Sequence, residues 1–239
     1  MIDRLLMKLR ARDEISADEE EALRAAVGEI VRHPADVTFI PAGKLLHSST
    51  LLIEGLIARY KDLSNGERQI TELHVPGDFA DLHSFTLKFL DHSIMTVTPS
   101  VIVQVPHEKL QAITENHPHL ARVLWFMTNL DAAIHREWVV SLGRRSALKR
   151  TAHLFCELQL RLGIAGLATE RGYALPITQT VLAECLGLTS VHVNRVLKEL
   201  RERGLVEFRS GRVTILDLPT LRRLAEFDPA YLYLDKRPR

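Results

Sequence analysis

The spacing of apolar positions changes period along these 239 residues, and each change marks a new kind of element. Ser16-Ala-Asp-Glu19 is a capping box, in which a serine side chain and a glutamate three residues on satisfy each other's backbone donors. It predicts a helix over residues 17–31, with Leu23, Ala26, Val27 and Ile30 on one face. Short alternating or apolar runs follow at 37–40, 50–54, 56–61, 68–74, 93–97 and 101–105. Turn signals separate them: Pro41-Ala-Gly43, Glu54-Gly55, Ser64-Asn-Gly66, Pro76-Gly-Asp78 and Pro99-Ser100. Asn65-Gly66 between two strands is the strongest hairpin signal. Many short strands at this spacing predict an antiparallel sandwich or barrel, with residues 79–91 as a loop holding a short helical piece.

After Pro106 the three-and-four spacing returns. Residues 107–115 read as a short helix and 118–141 as a long one. Along the long helix Leu120, Leu124, Met127, Leu130, Ile134 and Trp138 form a stripe, suited to a partner helix of a second copy or to packing on the strands. Gly143-Arg-Arg145 predicts a break and a hinge. Ser146 then caps a helix over 147–162 with Leu148, Ala152, Phe155 and Leu158 inward.

Residues 175–200 carry the most specific pattern: two short helices joined at Gly187. Ala183 is the small residue that lets them approach. Thr178 and Thr189 stand where N-cap hydroxyls are needed, and Leu182, Leu186 and Leu188 make the contact between the helices. Val193 and Val196 return inward. Ser190, Val191, His192, Asn194, Arg195 and Lys198 are left outward on the second helix, as in a helix-turn-helix that lays this helix in the major groove of DNA. Gly204 ends the helix. Residues 205–208 and 212–216 then alternate as strands around Arg209-Ser-Gly-Arg212, which makes a wing with two arginines at its tip.

Charge supports this division. The whole chain is nearly neutral, with 31 Lys+Arg against 30 Asp+Glu, yet residues 143–239 hold 17 Lys+Arg and 10 Asp+Glu (+7). The remaining 14 and 20 give residues 1–142 a charge of −6. A basic half beside an acidic one points to a polyanionic partner for the basic half. The charged N-terminus is no signal peptide and no apolar run is long enough to span a bilayer, so a cytoplasmic protein without a membrane partner is expected. Cys156 and Cys185 fall on apolar helix faces and read as small buried hydrophobes.

In this order, the elements resemble the cyclic-AMP receptor / fumarate-nitrate reduction regulator (Crp/Fnr) family of transcription factors. The resemblance covers nearly the whole chain and is most specific over Leu186-Gly-Leu-Thr-Ser-Val-His-Val-Asn-Arg-Val-Leu-Lys-Glu-Leu200. Val75-Pro-Gly-Asp-Phe79 and Leu63-Ser-Asn-Gly66 are similar to the family's sensor turns. It implies an α+β fold: an N-terminal antiparallel β-roll (a cyclic-nucleotide-binding-like jelly roll) over 1–116, a long dimerisation helix over 117–142 and a C-terminal winged helix-turn-helix over 143–239. It further implies a homodimer on a palindromic double-stranded site, working with RNA polymerase. Arg195 matches the family's guanine-reading arginine, since a guanidinium donates two bonds to O6 and N7. Val191 stands where the family usually has a glutamate, and Ser190 and Asn194 fill other base-reading positions. Thr178, Thr189, His192, Lys198, Arg209 and Arg212 are the expected phosphate contacts.

The effector is less determined. Family nucleotide binders hold the buried phosphate with a Gly-Glu turn and an Arg-Ser or Arg-Thr pair; here Gly77-Asp78 and His92-Ser93 stand for them, and the arginine is missing. His135 and Arg136 occupy the adenine-facing positions of the long helix, which makes Gly77, Asp78, His92, Ser93 and His135 the candidate pocket and argues against cyclic AMP. No cysteine precedes Cys156, which closes the iron–sulfur route. The 11 histidines, His117-Pro-His119 among them, show no tight ligand spacing, so no metal is expected, and the cofactor is left unknown. The alternatives are a cupin-like metal-dependent enzyme, against which His74, His83 and His92 are spaced too widely for one strand, and an effector-independent interaction protein.

Overall fold

The computed structural model describes all residues, 1–239. Two helices, α1 (Asp3–Arg10) and α2 (Ala17–Ala25), precede seven strands: β1 (Ile30–His33), β2 (Thr38–Ile40), β3 (Ser48–Glu54), β4 (Ile57–Asp62), β5 (Arg68–His74), β6 (Ser93–Thr96) and β7 (Ser100–Pro106). The single turn of α3 (Ser84–Leu87) lies between β5 and β6. All pairings are antiparallel and form two sheets, ordered β1-β7-β3 and β2-β6-β4-β5. Inward residues of both sheets, such as Leu52, Ile57, Ile94 and Ile102, are fully buried between them. The β4–β5 hairpin turns at Asn65-Gly66, where Gly66 has φ +86°.

The capping box at Ser16 and Glu19 forms, but α2 stops at Ala25 rather than reaching residue 31. Ile30 and Val31 are instead strand residues paired with β7. The change begins at Gly28, whose N–H donates to the Gln104 carbonyl (2.9 Å) and where a Cβ would lie 2.5 Å from that oxygen. Ladder pairing with β7 therefore overrides local helical preference.

Next come α4 (His107–Asn116), the 27-residue α5 (Pro118–Arg144) and α6 (Ala147–Ile164), with Ser146 accepting from Lys149 N. The break follows Gly143 by two residues: Gly143 is helical and Arg145 is the first extended residue, at ψ 141°. Arg150 explains the stop. Its guanidinium donates to the last carbonyls of α5, Ser141 O and Leu142 O (both 2.9 Å), and to Arg145 O (3.2 Å).

The remaining elements are β8 (Ala168–Thr169), β9 (Gly172–Ala174), α7 (Gln179–Leu186), α8 (Ser190–Glu202), β10 (Val206–Arg209), β11 (Arg212–Ile215), α9 (Leu218–Ala225) and a 3-10 turn over Pro229–Leu232. Strands β10-β11-β9-β8 make one small sheet. This unit does not hang free: α7 packs against β5, Gln69 Nε2 donates to Glu184 O, and one apolar core runs from β4 and β5 through Ile134 and Trp138 into α6, α7 and α8.

That packing corrects the reading of the long helix. Leu120, Leu124, Ile134 and Trp138 are buried within their own protomer, the first two against α1, β7 and α4 and the last two against α6. Met127 and Leu130 are half-buried against the same cores. The stripe is used up inside the chain, because α1 and α6, one unforeseen and the other folded back, cover it.

Candidate functional site

In the helix-turn-helix, each local signal does what its chemistry requires. Thr178 Oγ1 accepts from Val181 N and Thr189 Oγ1 from His192 N, both at 3.2 Å, so the two hydroxyls are spent as caps while remaining on exposed residues. Gly187 ends α7 in the left-handed region at φ +58°, which only glycine adopts without cost. Val193, Val196 and Leu200 are buried against α6 and α7 and thereby fix which side of α8 looks out. Val191, His192, Asn194, Arg195 and Lys198 are exposed together and Ser190 is half-exposed. Asn194 Nδ2 donates to Ser190 O one turn back (3.1 Å), and Lys198 lies 3.6 Å from Glu202. Strands β10 and β11 pair through a two-residue turn in which both Ser210 (φ +50°) and Gly211 (φ +69°) are left-handed. Arg209 and Arg212 face each other across it, both exposed. One ridge thus presents a cation-bearing helix face, flanked by an arginine-tipped ribbon.

The sensor half departs further from expectation. Gly77, Asp78, His92, Ser93 and His135 do not share one pocket. Gly77 (φ +90°) lies under α1, with Arg4 backbone atoms 2.8–2.9 Å from where a Cβ would be. Asp78 is occupied by Lys8 Nζ (2.5 Å), Arg161 Nη2 (2.9 Å) and Val75 N (2.9 Å). Burial pushes this carboxyl up, but Lys8 and Arg161 hold it well below the usual range. Ser93 Oγ accepts from Ala42 N. His92 and His135 instead line a separate cleft of about 470 Å³ between the β4–β6 sheet and α5, together with Arg59, His83, Asp91 and Asp131.

Arg59 forms the floor of this cleft. It is almost fully buried, and its Nη1 donates to Glu72 Oε2 (3.1 Å) and Asp131 Oδ2 (2.8 Å). Burial, and then the facing Asp131, push Glu72 well above the usual carboxylate range, so the charged partner of Arg59 is Asp131. His83 and His92 have ring centroids 5.6 Å apart. Burial holds both, and His135, below the ordinary histidine value, His83 at about 4. Of the three histidines too widely spaced for one strand, His83 and His92 are neighbours here, because the β5–β6 connection brings them together, while His74 does not line the cleft. Glu72, Asp131 and His135 bring ligand atoms within 4.8 Å of one another. The Arg59 guanidinium already bonds both carboxylates, which fits an ion-paired cluster better than a metal.

Models of two domains match the chain: the Crp-like helix-turn-helix domain over residues 149–224 and the cyclic nucleotide-binding domain over residues 30–117. The chain belongs to the Crp/Fnr family. Among similar proteins are the nitrogen fixation regulation protein FixK of Azorhizobium caulinodans, 29% identical over 175 residues (73% of this chain, 70% of that protein), and the anaerobic regulatory protein of Haemophilus influenzae, 25% identical over 183 residues (77% and 71%). The structure of FixK2 from Bradyrhizobium japonicum superposes with a TM-score of 0.74 at 24% identity, covering 82% of this chain and 96% of that one. This Crp/Fnr chain is thus a transcriptional regulator with a sensory β-roll and a helix-turn-helix DNA-binding domain. Its similarity to regulators runs against the enzyme alternative. No helix is long and apolar enough to cross a membrane.

Proposed function

We propose that this regulator reads a two-fold DNA site as a homodimer, with Arg195 as its principal base reader and RNA polymerase as its partner at the promoter. The observation that carries the reading is the shared outward exposure of Ser190, Val191, Asn194 and Arg195 on α8, held there by burial of Val193, Val196 and Leu200. Arg195 donates to guanine, and Val191, 62% exposed, offers a thymine methyl a contact that glutamate would not. His192, Lys198, Arg209 and Arg212 meet phosphates, as do the first turns of α7 and α8 at Thr178 and Thr189. Dimerisation uses the face of α5 left open: Trp125, Asn129, Ala132, Arg136, Val139 and Gly143 recur at three-and-four spacing, with Trp125 70% and Val139 68% exposed.

The cleft above Arg59 is the sensing site in this reading, in place of the Gly77–Asp78 turn. Of the cations lining it, Lys61 is paired with Asp91 and Arg59 with Asp131, so a cyclic nucleotide's phosphate would find no uncommitted counter-charge there, and a ligand less demanding of positive charge fits it better.

Selection from random DNA, followed by binding of the enriched site, tests the reading. Arg195→Ala is expected to cost about 1–3 kcal/mol of discrimination at one base position per half-site. Weak, salt-sensitive binding to any duplex should remain. Full preference retained in Arg195→Ala would refute the assignment.

A further inference from the structure

Helix α1, the turn after β5, α5, α6 and the C-terminal turn converge on one small space of about 70 Å³. Lys8, Arg12, Arg59 and Arg161 bring four cations to its wall, and Glu72, Asp78 and Asp131 bring three carboxyl groups. The carboxylates are committed: Asp78 is shared by Lys8 and Arg161, and Asp131 faces Arg59. Glu72 is held toward its neutral form. Arg12 is left over. It is only 6% exposed and pairs with no carboxylate. Its Nε donates to Leu232 O (3.0 Å) and its Nη1 to Lys8 O (2.9 Å), while Nη2 donates to no protein acceptor.

A buried guanidinium bonded only to neutral carbonyls is a charge without a counter-ion, which is costly. Its neighbours register the surplus. Burial lowers Arg12 to about 10, with Asp78 opposing and Arg161 and Arg239 adding to the effect. Lys8 falls to about 8 although it touches Asp78, because burial dominates and Arg161 and Arg12 repel it.

We propose that this space is a binding site for one small oxyanion, an inorganic phosphate or a compact carboxylate, gripped by Arg12 and Lys8 with Arg161 behind them. A charge-assisted bond to Arg12 Nη2 and to the free protons of the Lys8 ammonium supplies the missing counter-charge. A space of about 70 Å³ suits a compact anion rather than a nucleotide. Arg59 and Asp131 wall it off from the sensing cleft, and no residue of α8 or the wing lines it. Because α1, the β-roll, α6 and the C-terminal turn all contribute, a bound anion stabilises the packing of the DNA-binding unit on the β-roll by mass action.

Calorimetric titration of the full-length protein with sodium phosphate, and separately with sodium acetate, at ionic strength held constant with sodium chloride, tests this. One saturable anion per chain and a rise in thermal midpoint are expected, the tighter of the two salts identifying the class. Arg12→Gln should weaken binding about tenfold or more, with Arg12→Lys between it and the parent. Should Arg12→Gln not fold, Lys8→Gln must show the same loss. The proposal fails if neither salt binds beyond the chloride control, or if binding is unchanged in the Gln variants. It also fails if binding is lost in Arg195→Ala and Arg209→Ala instead, which would place the anion on the DNA-reading ridge and leave that ridge's assignment intact.

Discussion

Asp81 shows how far one buried side chain can set the behaviour of the sensor half. It is fully buried; one carboxylate oxygen accepts from Thr50 N, and the other has no partner. Burial raises its pKa from 3.8 to about 6, against the Thr50 bond and Arg59. Between about pH 4 and pH 6 the folded chain thus keeps a proton that the unfolded chain has released. Stability from this group is present below the window and lost as pH rises through it, by on the order of 3 kcal/mol. Asp81→Asn has no such titration and keeps an acceptor for Thr50. Urea unfolding at pH 4, 6 and 8 should show the variant gaining on the parent as pH rises, by about 1–3 kcal/mol at pH 8. A difference constant across that range would refute the buried-charge account. This behaviour is not legible in the sequence, because Asp81 lies in what reads as an irregular loop and its burial depends on α3 and β3.

At the scale of elements, Arg150 closes two helices at once. It donates to the final carbonyls of α5 and, through Nη1, to Leu186 O at the end of α7. Arg150→Leu leaves these carbonyls without their donor and should cost about 2–4 kcal/mol. Hydrogen exchange should quicken in the last turn of α5 while α8 keeps its protection; unchanged exchange at Ser141 to Arg145 would sink the capping role. Features of this kind divide what could be read from the chain from what could not. The capping box, the Asn65-Gly66 turn and the threonine caps of α7 and α8 are local chemistry and stand where the sequence puts them. The break falls within Gly143-Arg-Arg145 as the sequence puts it, but its position within that segment, at Arg145, is set by a donor further along the chain, on α6. Helix α1 carried a signal, Ile2, Leu5, Leu6 and Leu9 at helical spacing, yet only its docking over Gly77 shows why the expected pocket is filled. His83 and His92 meet through a fold-back that no spacing rule contains.

Across the whole molecule, the acidic β-roll and the basic C-terminal unit are joined by one shared core and by Arg161, which bonds Asp78 of the β-roll and Glu157 of its own helix. The joined arrangement decides which side of α5 is available to a second copy. Periodicity gives one stripe on that helix, Leu120 to Trp138; α1, α4 and α6 take it and leave Trp125, Val139 and Val140, on another face, in solvent. The two faces therefore predict different failures. Trp125→Glu should leave the urea midpoint of the protomer nearly unchanged, since Trp125 buries little against its own chain, but weaken self-association by about tenfold or more, because an exposed tryptophan at an interface is a typical energetic anchor. Leu124→Ala should do the reverse, costing about 2–5 kcal/mol of folding stability through the cavity it leaves. Sedimentation equilibrium on both variants separates the outcomes. A dimer that survives Trp125→Glu and is lost in Leu124→Ala at full protomer stability would mean that the open face of α5 is not where two chains meet.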